Sequence, residues 1–207
     1  MGKLIAIVGP SGIGKTALAH ALKRKGNAVL KNSEGFATAF EQHEERPFQA
    51  HFKHDPRYGL ANQIDYMLLR AEQERTLRTA PQTGLIDGGL DLDYHGFTRL
   101  FHRRGLLTDP EFDLCRRLYE TLRELLPLPE LIIRMRGDES TVESRLSKRK
   151  RINIALAEDF VLMESFLDEW LDTVPKGQIL EIEVTNEGLE YKKSIQQIIT
   201  KFSQLSW

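Results

Sequence analysis

The sequence predicts an α/β fold with a five-stranded parallel sheet and helices on both faces. Short apolar runs alternate along the chain with longer segments whose apolar residues recur at helical spacing. Such alternation is typical of a mostly parallel sheet that is covered by helices on both faces. The first apolar run leads into the glycine-rich stretch GPSGIGKT, which narrows the prediction to a P-loop three-layer sandwich.

Five apolar runs are predicted to be strands. The first, over residues 4–8, is apolar throughout and ends in glycine, as expected of a strand that is buried on both faces. The other four predicted strands lie over residues 27–32, 84–88, 130–135 and 178–184.

Helices are predicted between these strands from amphipathic spacing. The first begins at about residue 14, and the others cover about residues 36–54, 60–78, 97–104, 110–126, 138–150, 160–170 and 195–202. The helix over 60–78 is expected to bury an apolar stripe of Leu60, Ile64, Met67, Leu68 and Ala71. The helix over 110–126 is expected to bury Phe112, Cys115, Leu118, Leu122 and Leu125.

Composition indicates one domain, over residues 1–207. The 41% of hydrophobic and 29% of charged residues are ordinary for a globular protein. A net charge of −1 argues against general nucleic-acid binding. No segment suits a membrane span or a secretory signal, and the single cysteine, Cys115, cannot form an internal disulfide. We therefore expect a cytoplasmic protein with no membrane partner.

The stretch GPSGIGKT, residues 9–16, matches the pattern G-x-x-x-x-G-K-[ST] between a predicted strand and a predicted helix. Its glycines allow backbone N–H groups to surround phosphate oxygens, and the start of a helix favours anions. Lys15 is expected to reach the β- and γ-phosphates, and Thr16 to ligate Mg²⁺. The sequence thus predicts a site for ATP and Mg²⁺, formed by Gly9, Ser11, Gly12, Ile13, Gly14, Lys15 and Thr16.

Acidic residues follow two of the predicted strands. Asp87 ends its strand where a P-loop enzyme places a carboxylate near Mg²⁺, so it is a candidate metal ligand with Thr16, although Asp-Gly is also common in turns. Glu34 could serve as the base for a hydroxyl acceptor, but its spacing alone favours a solvated loop residue. Asp91 is interpreted as a turn or surface residue, and His95 as a surface or packing residue.

Over about residues 4–171 the chain resembles the deoxynucleoside kinase family, whose members transfer the γ-phosphate of ATP to the 5′-hydroxyl of a deoxynucleoside. The resemblance implies that Glu34 is the catalytic base, because it follows Lys15 at the family's distance. In DPRYGLANQIDYMLLRAE, it implies that Gln63 pairs with the base of the acceptor and that Arg70 lies near the sugar. Residues seven apart share a helix face, which agrees with this implication.

The family's next signature is Glu-Arg-Ser at a strand end, with an aspartate five residues beyond the arginine. In DGGLDLD this resemblance places Asp87 on the glutamate and Asp93 on the base-reading aspartate, while Gly88 falls on the arginine. The segment RLSKRKR resembles the family's arginine-rich lid, at about residues 145–155. The resemblance aligns three residues with the lid arginines, namely Arg145, Arg149 and Arg151. The segment lacks the glutamate that the family carries shortly after its last lid arginine.

Three functions remain open from the sequence. The first is an ATP-dependent kinase that phosphorylates the 5′-hydroxyl of a nucleoside or deoxynucleoside. The second is a nucleoside monophosphate kinase of thymidylate-kinase type, for which Arg70, Arg99 and Arg103 could bind the acceptor phosphate. The third is an ATP-binding regulatory protein with a degenerate acceptor site, which Gly88 and the missing lid glutamate favour. The expected partner is a small-molecule nucleoside or nucleotide, and the family resemblance suggests a homodimer.

Overall fold

The computed structural model describes residues 2–25, 35–39, 46–140, 142, 159–185, 187–188 and 190–204. Its sheet has five strands that all run parallel, in the order β2-β3-β1-β4-β5. The strands are β1 Leu4–Val8, β2 Phe36–Ala39, β3 Thr83–Asp87, β4 Leu131–Arg136 and β5 Ile179–Glu183. The predicted parallel five-stranded sheet is confirmed.

The second strand differs from the prediction. Residues 36–39 were predicted to begin a helical stretch, but they form β2 and pair with β3 from Phe36 opposite Thr83 to Ala39 opposite Ile86. The segment is too short for periodicity to separate strand from helix, and pairing with β3 decides its conformation. The predicted strand over 27–32 lies outside the described residues.

Seven α-helices are present in the described part of the chain. They are α1 Lys15–Arg24, α2 Pro47–Phe52, α3 Gly59–Thr79, α4 Arg99–Arg103, α5 Asp109–Leu125, α6 Phe160–Leu171 and α7 Lys192–Gln204. A π-helix, Leu92–Thr98, precedes α4, and two 3-10 turns lie at Pro56–Tyr58 and Lys176–Gln178. Most of the predicted helix over 138–150 falls outside the described residues.

The central strand β1 contacts a separate apolar layer on each face of the sheet. Ile5 and Ile7 belong to a core that includes Leu18 of α1 and Ile195 of α7. Leu4, Ala6 and Val8 point the other way, into a core that also contains residues of α3 and α6, namely Leu77, Leu167, Trp170 and Leu171. Alternate burial on both faces confirms the three-layer sandwich. No described helix is both long and apolar enough to span a membrane.

Helix α3 is less simply amphipathic than predicted. Met67 and Ala71 are buried, but Leu68 is 43% exposed, so the predicted stripe is wrong at that position. Much of the buried face is polar. Asn62, Gln63 and Arg70 border the cleft described below, whereas Glu74 pairs with Arg123 and Arg78 with Glu130. In α5, Cys115 is buried as predicted, but Leu125 near the end of the helix is 66% exposed.

Candidate active site

The glycine-rich stretch forms a loop between β1 and α1. Gly12 and Gly14 have φ angles of 86° and 110°, which only glycine adopts without strain. The conformation of this loop therefore requires glycine at both positions. Lys15 opens α1, and its Nζ donates to the carbonyl oxygens of Gly9 and Pro10, both at 2.9 Å. The lysine thus lies across the loop, beside the helix N-terminus that an anion would occupy.

Thr16 and Asp87 lie together at the carboxyl ends of β1 and β3. Asp87 is opposite Ile7 in the paired strands, and its Oδ2 accepts a hydrogen bond from the Thr16 hydroxyl. Hydroxyl and carboxylate oxygens suit Mg²⁺, which usually takes its remaining ligands from phosphates and water. No group of three or more His, Cys, Asp or Glu side chains in the described residues could hold a metal, so phosphate oxygens would be needed here.

Two adjoining hollows form a cleft beside this pair. The first has a volume of about 400 Å³ including its open mouth, and is lined by Ser11, Lys15, Thr16, Arg70, Asp87, Gly88, Leu92 and Phe97. The second has a volume of about 350 Å³ on the same basis, and is lined by Asn62, Gln63, Tyr66, Arg70, Asp93, Phe97 and Phe101. Because Arg70 and Phe97 line both, the phosphate loop opens directly into the second hollow, which we call the acceptor hollow.

A buried ion pair forms one wall of the acceptor hollow. Arg70 Nε lies 2.8 Å from Asp93 Oδ2, and both side chains are less than one-tenth exposed. A second nitrogen of Arg70 donates to the amide oxygen of Gln73 at 3.0 Å. The structure therefore brings Gln63, Arg70 and Asp93 into one hollow. Gln63 and Arg70 lie about two turns apart on the face of α3 that meets Asp93 of the π-helix.

The π-helix shapes the backbone of the acceptor hollow. The carbonyl of Asp93 accepts hydrogen bonds from Gln63 Nε2 at 3.1 Å and from the Thr98 hydroxyl at 3.0 Å. Single π-helical turns often occur at functional sites, because they leave a backbone group to bond with side chains. Here that carbonyl joins α3 to the segment carrying Asp93.

Gly88 occupies the junction between the two hollows. Its φ is 90°, a conformation that strains side chains larger than glycine, and an added Cβ would lie 3.7 Å from a guanidinium nitrogen of Arg70. Gly88, which the family resemblance aligns with an arginine, thus lies next to the guanidinium group of Arg70.

Asp91 is buried rather than at the surface, so that prediction was wrong. Its Oδ1 accepts a hydrogen bond from the Tyr119 hydroxyl at 2.8 Å and lies 3.0 Å from Arg123 Nε. Arg123 also contacts Glu74 at 2.7 Å, and Glu74 accepts the backbone N–H of Leu90 at 3.1 Å. Burial raises the pKa of Asp91 to about 6 despite Arg123, while the two carboxylates raise the pKa of Arg123 against the opposing effect of burial.

His95 continues this network on the far side of the π-helix. Its Nε2 lies 3.0 Å from the Tyr119 hydroxyl, and its ring stacks on Trp170 with centroids 5.1 Å apart. Burial, with help from nearby arginines, lowers the pKa of His95 to about 3, so the ring is neutral. Since Tyr119 donates to Asp91, Nε2 of His95 is the donor to Tyr119. His95 is therefore a packing residue, one of the two predicted alternatives.

Of the other candidate residues, four are outside the described part of the chain and two lie away from this cleft. Glu34, Arg145, Arg149 and Arg151 lie outside the described residues. Arg99, proposed for an acceptor phosphate, instead pairs with Glu169 at 2.6 Å and covers the ring of Phe166. Arg103 is exposed and lines neither hollow.

Five cleft residues were missed from the sequence, namely Asn62, Tyr66, Leu92, Phe97 and Phe101. Tyr66 lies three positions from Gln63 and four from Arg70, on the same face of α3, and this spacing was the available signal. Phe97 had no such signal, because its position depends on the π-helix.

The fold and the cleft define a phosphate-loop nucleotide-binding protein whose loop opens into a second ligand hollow. A family model for deoxynucleoside kinase matches residues 5–205, so the chain belongs to the deoxynucleoside kinase family. A deoxyadenosine kinase from Dictyostelium discoideum is 29% identical over 151 residues, which are 72% of this chain and 58% of that protein. The match therefore spans less than two thirds of that relative's length.

Solved structures of a deoxyadenosine kinase from M. mycoides share the fold. The structure with bound dCTP has a TM-score of 0.75 at 19% identity, covering 98% of this chain and 100% of that one. The structure with bound dATP has a TM-score of 0.72 at 19% identity, and the match covers 97% of this chain and 99% of that one. At this identity the likeness concerns the fold alone.

Proposed function

We propose that this protein transfers the γ-phosphate of ATP to the 5′-hydroxyl of a deoxynucleoside. The observation that carries the proposal is the junction of the two hollows at Arg70, which joins a phosphate loop to a buried, amide-bearing pocket. Family membership and the deoxyadenosine kinase relative support the same reaction.

The geometry suggests how the two substrates would lie. The triphosphate of ATP would follow the phosphate loop, with Lys15 turning from the loop carbonyls to the phosphates. The base of the acceptor would enter the hollow at Gln63 and Asp93, between the aromatic rings of Phe97 and Phe101. The sugar would then lie at Arg70, with its 5′-hydroxyl directed towards Lys15 and Asp87. This alignment is what in-line transfer requires.

In the reaction, the 5′-oxygen forms a bond to the γ-phosphorus while the bond to the bridging oxygen of ADP breaks. We propose Glu34 as the acceptor of the hydroxyl proton and Arg145, Arg149 and Arg151 as donors to the transferred group, following the family resemblance. Mg²⁺ bound at Thr16 and Asp87 would offset phosphate charge. Arg70 supplies positive charge beside Gly88, where the family carries arginine.

A monophosphate acceptor is less well supported, because Arg99 pairs with Glu169 and Arg103 is exposed. A regulatory protein with a degenerate acceptor site is also less well supported, because Gln63, Arg70 and Asp93 form an ordered hollow. We further propose a cytoplasmic homodimer, in which contact between copies would cover exposed apolar side chains such as Leu68 of α3.

The purified protein with ATP, Mg²⁺ and panels of nucleosides and nucleoside monophosphates tests the proposal. We expect ADP release that depends on a deoxynucleoside, and a product heavier by one phosphoryl group in mass spectrometry. Glu34→Gln is expected to lower kcat by a factor of about 100 or more. ATP turnover that is independent of the acceptor, or that depends only on monophosphates, would exclude this function.

A further inference from the structure

The side chain of Asn62 is among the most buried polar groups that line the acceptor hollow. It is 1% exposed, lies on α3 beside Gln63, and lines the hollow with the ion pair of Arg70 and Asp93. Its Oδ1 is buried and has no hydrogen-bond partner among the described residues. No other lining residue of this hollow has such an atom in the described part of the chain.

A buried carbonyl oxygen without a partner is unfavourable, and native proteins rarely retain one without a reason. Replacing Asn62 by an apolar residue of similar size would remove that cost. Because Asn62 lines a ligand hollow, an N–H group of a bound ligand is a partner that would satisfy this oxygen.

The neighbouring amide narrows the chemistry of that ligand. Gln63 donates its amide nitrogen to the carbonyl of Asp93, which leaves its amide oxygen for a ligand. Asn62 and Gln63 thus present acceptors side by side to the base of the acceptor. An adenine or cytosine base carries an exocyclic amino group with two N–H donors, whereas guanine and thymine carry an oxygen at that place.

We propose that Asn62 is a specificity-determining residue, whose Oδ1 accepts a hydrogen bond from the exocyclic amino group of an adenine or cytosine base. This inference rests on the proposed kinase function and deepens it. Guanine and thymine would place an oxygen against the acceptor atoms of Asn62 and Gln63. Discrimination is strong in such a case, because the buried acceptor is left unpaired.

The first experiment compares wild type with Asn62→Leu on deoxyadenosine, deoxycytidine, deoxyguanosine and thymidine. We expect kcat/KM to fall about tenfold or more for deoxyadenosine and deoxycytidine, whose amino group stands where deoxyguanosine and thymidine carry an oxygen, and to change less than about threefold for the other two. Arg75→Leu, at an exposed position of the same helix, is the matched control and is expected to match wild type. An equal fall for all four nucleosides, or a loss confined to deoxyguanosine and thymidine, would overturn the inference.

The second experiment removes the amino group from the ligand instead. Purine deoxyriboside lacks the amino group of deoxyadenosine, so wild type should use it about tenfold less efficiently, and Asn62→Leu should use both alike. If Asn62→Leu does not fold, equal use of both ligands by wild type still overturns the inference. Failure of wild type to phosphorylate any nucleoside would reject the proposed function and this inference with it, whereas turnover without the expected differences rejects only the role of Asn62.

Discussion

The hydroxyl of Tyr119 on α5 donates a 2.8 Å hydrogen bond to the buried carboxylate of Asp91. Asp91 lies between Asp87 and Asp93, the two acidic residues assigned to the metal and to the acceptor. Arg123 and Glu74 complete this contact, and Glu74 also accepts the backbone N–H of Leu90. The network therefore anchors the short segment on whose geometry both halves of the cleft depend.

Tyr119→Phe is expected to lower the free energy of unfolding by about 1–3 kcal/mol, because Asp91 loses a buried hydrogen bond and His95 loses its partner. Urea denaturation monitored by circular dichroism measures the loss. Tyr58→Phe is the control, since Tyr58 is more than one-third exposed. Equal stability of the two variants would contradict the role of the Tyr119 hydroxyl.

The raised pKa of Asp91 predicts a pH-dependent stability. An unfolded aspartate has a pKa of about 3.9, and the folded value is about 6. At a pH between these two values, folding is therefore accompanied by uptake of a proton at Asp91. The contribution of that proton to the free energy of unfolding is lost as the pH rises through 6. Relative to Asp91→Asn, wild type should lose up to about 3 kcal/mol of unfolding free energy between pH 4 and 7. A difference that is constant with pH would show that Asp91 titrates normally.

Asp93→Asn is expected to destabilise the protein by about 3 kcal/mol or more, because it leaves the charge of Arg70 buried without its partner. The acceptor kcat/KM should fall with it. Asp55→Asn breaks an ion pair with the exposed Arg57 and is expected to change stability little. Thermal unfolding of both variants tests the difference, and similar shifts would indicate that burial does not strengthen the pair with Arg70.

Asp87→Asn is expected to raise the Mg²⁺ concentration for half-maximal activity about tenfold or more, because a neutral amide attracts the cation less. A Mg²⁺ titration at saturating ATP measures this. Asp113→Asn, on the exposed face of α5, is the control. An unchanged Mg²⁺ requirement in Asp87→Asn would remove that residue from the proposed metal site.

Cys115 is expected to resist thiol reagents in the folded protein. Burial raises its pKa to about 11, well above the ordinary thiol value, so little reactive thiolate is present at pH 8. A disulfide reagent should label no thiol in the native protein and one per chain in denaturant. Rapid native labelling would mean that this part of α5 opens readily.

Local signals explain what could be predicted. The phosphate loop was predictable because its glycines, Lys15 and Thr16 act within one turn between a strand and a helix. The parallel sheet followed from apolar runs such as 4–8, and Gln63 and Arg70 followed from one helix face together with the family resemblance.

Contacts between distant segments explain what could not be predicted. Phe36–Ala39 became a strand because β3 supplies its hydrogen bonds. Asp91 is buried because Tyr119 and Arg123, about 30 residues away, satisfy its carboxylate. Asn62, Gln63 and Arg70 of α3 are buried although they are polar, because they line a cleft formed with the distant π-helix.

The sequence by itself determined the phosphate loop, the apolar strand over 4–8 and the shared helix face of Gln63 and Arg70, because these depend on neighbours in the chain. The tertiary structure alone decided the burial of Asp91, the π-helix at Asp93 and the unpaired oxygen of Asn62. The physical reason is that a polar side chain is tolerated inside a protein only when remote partners or a ligand satisfy it, and local sequence patterns do not identify those partners.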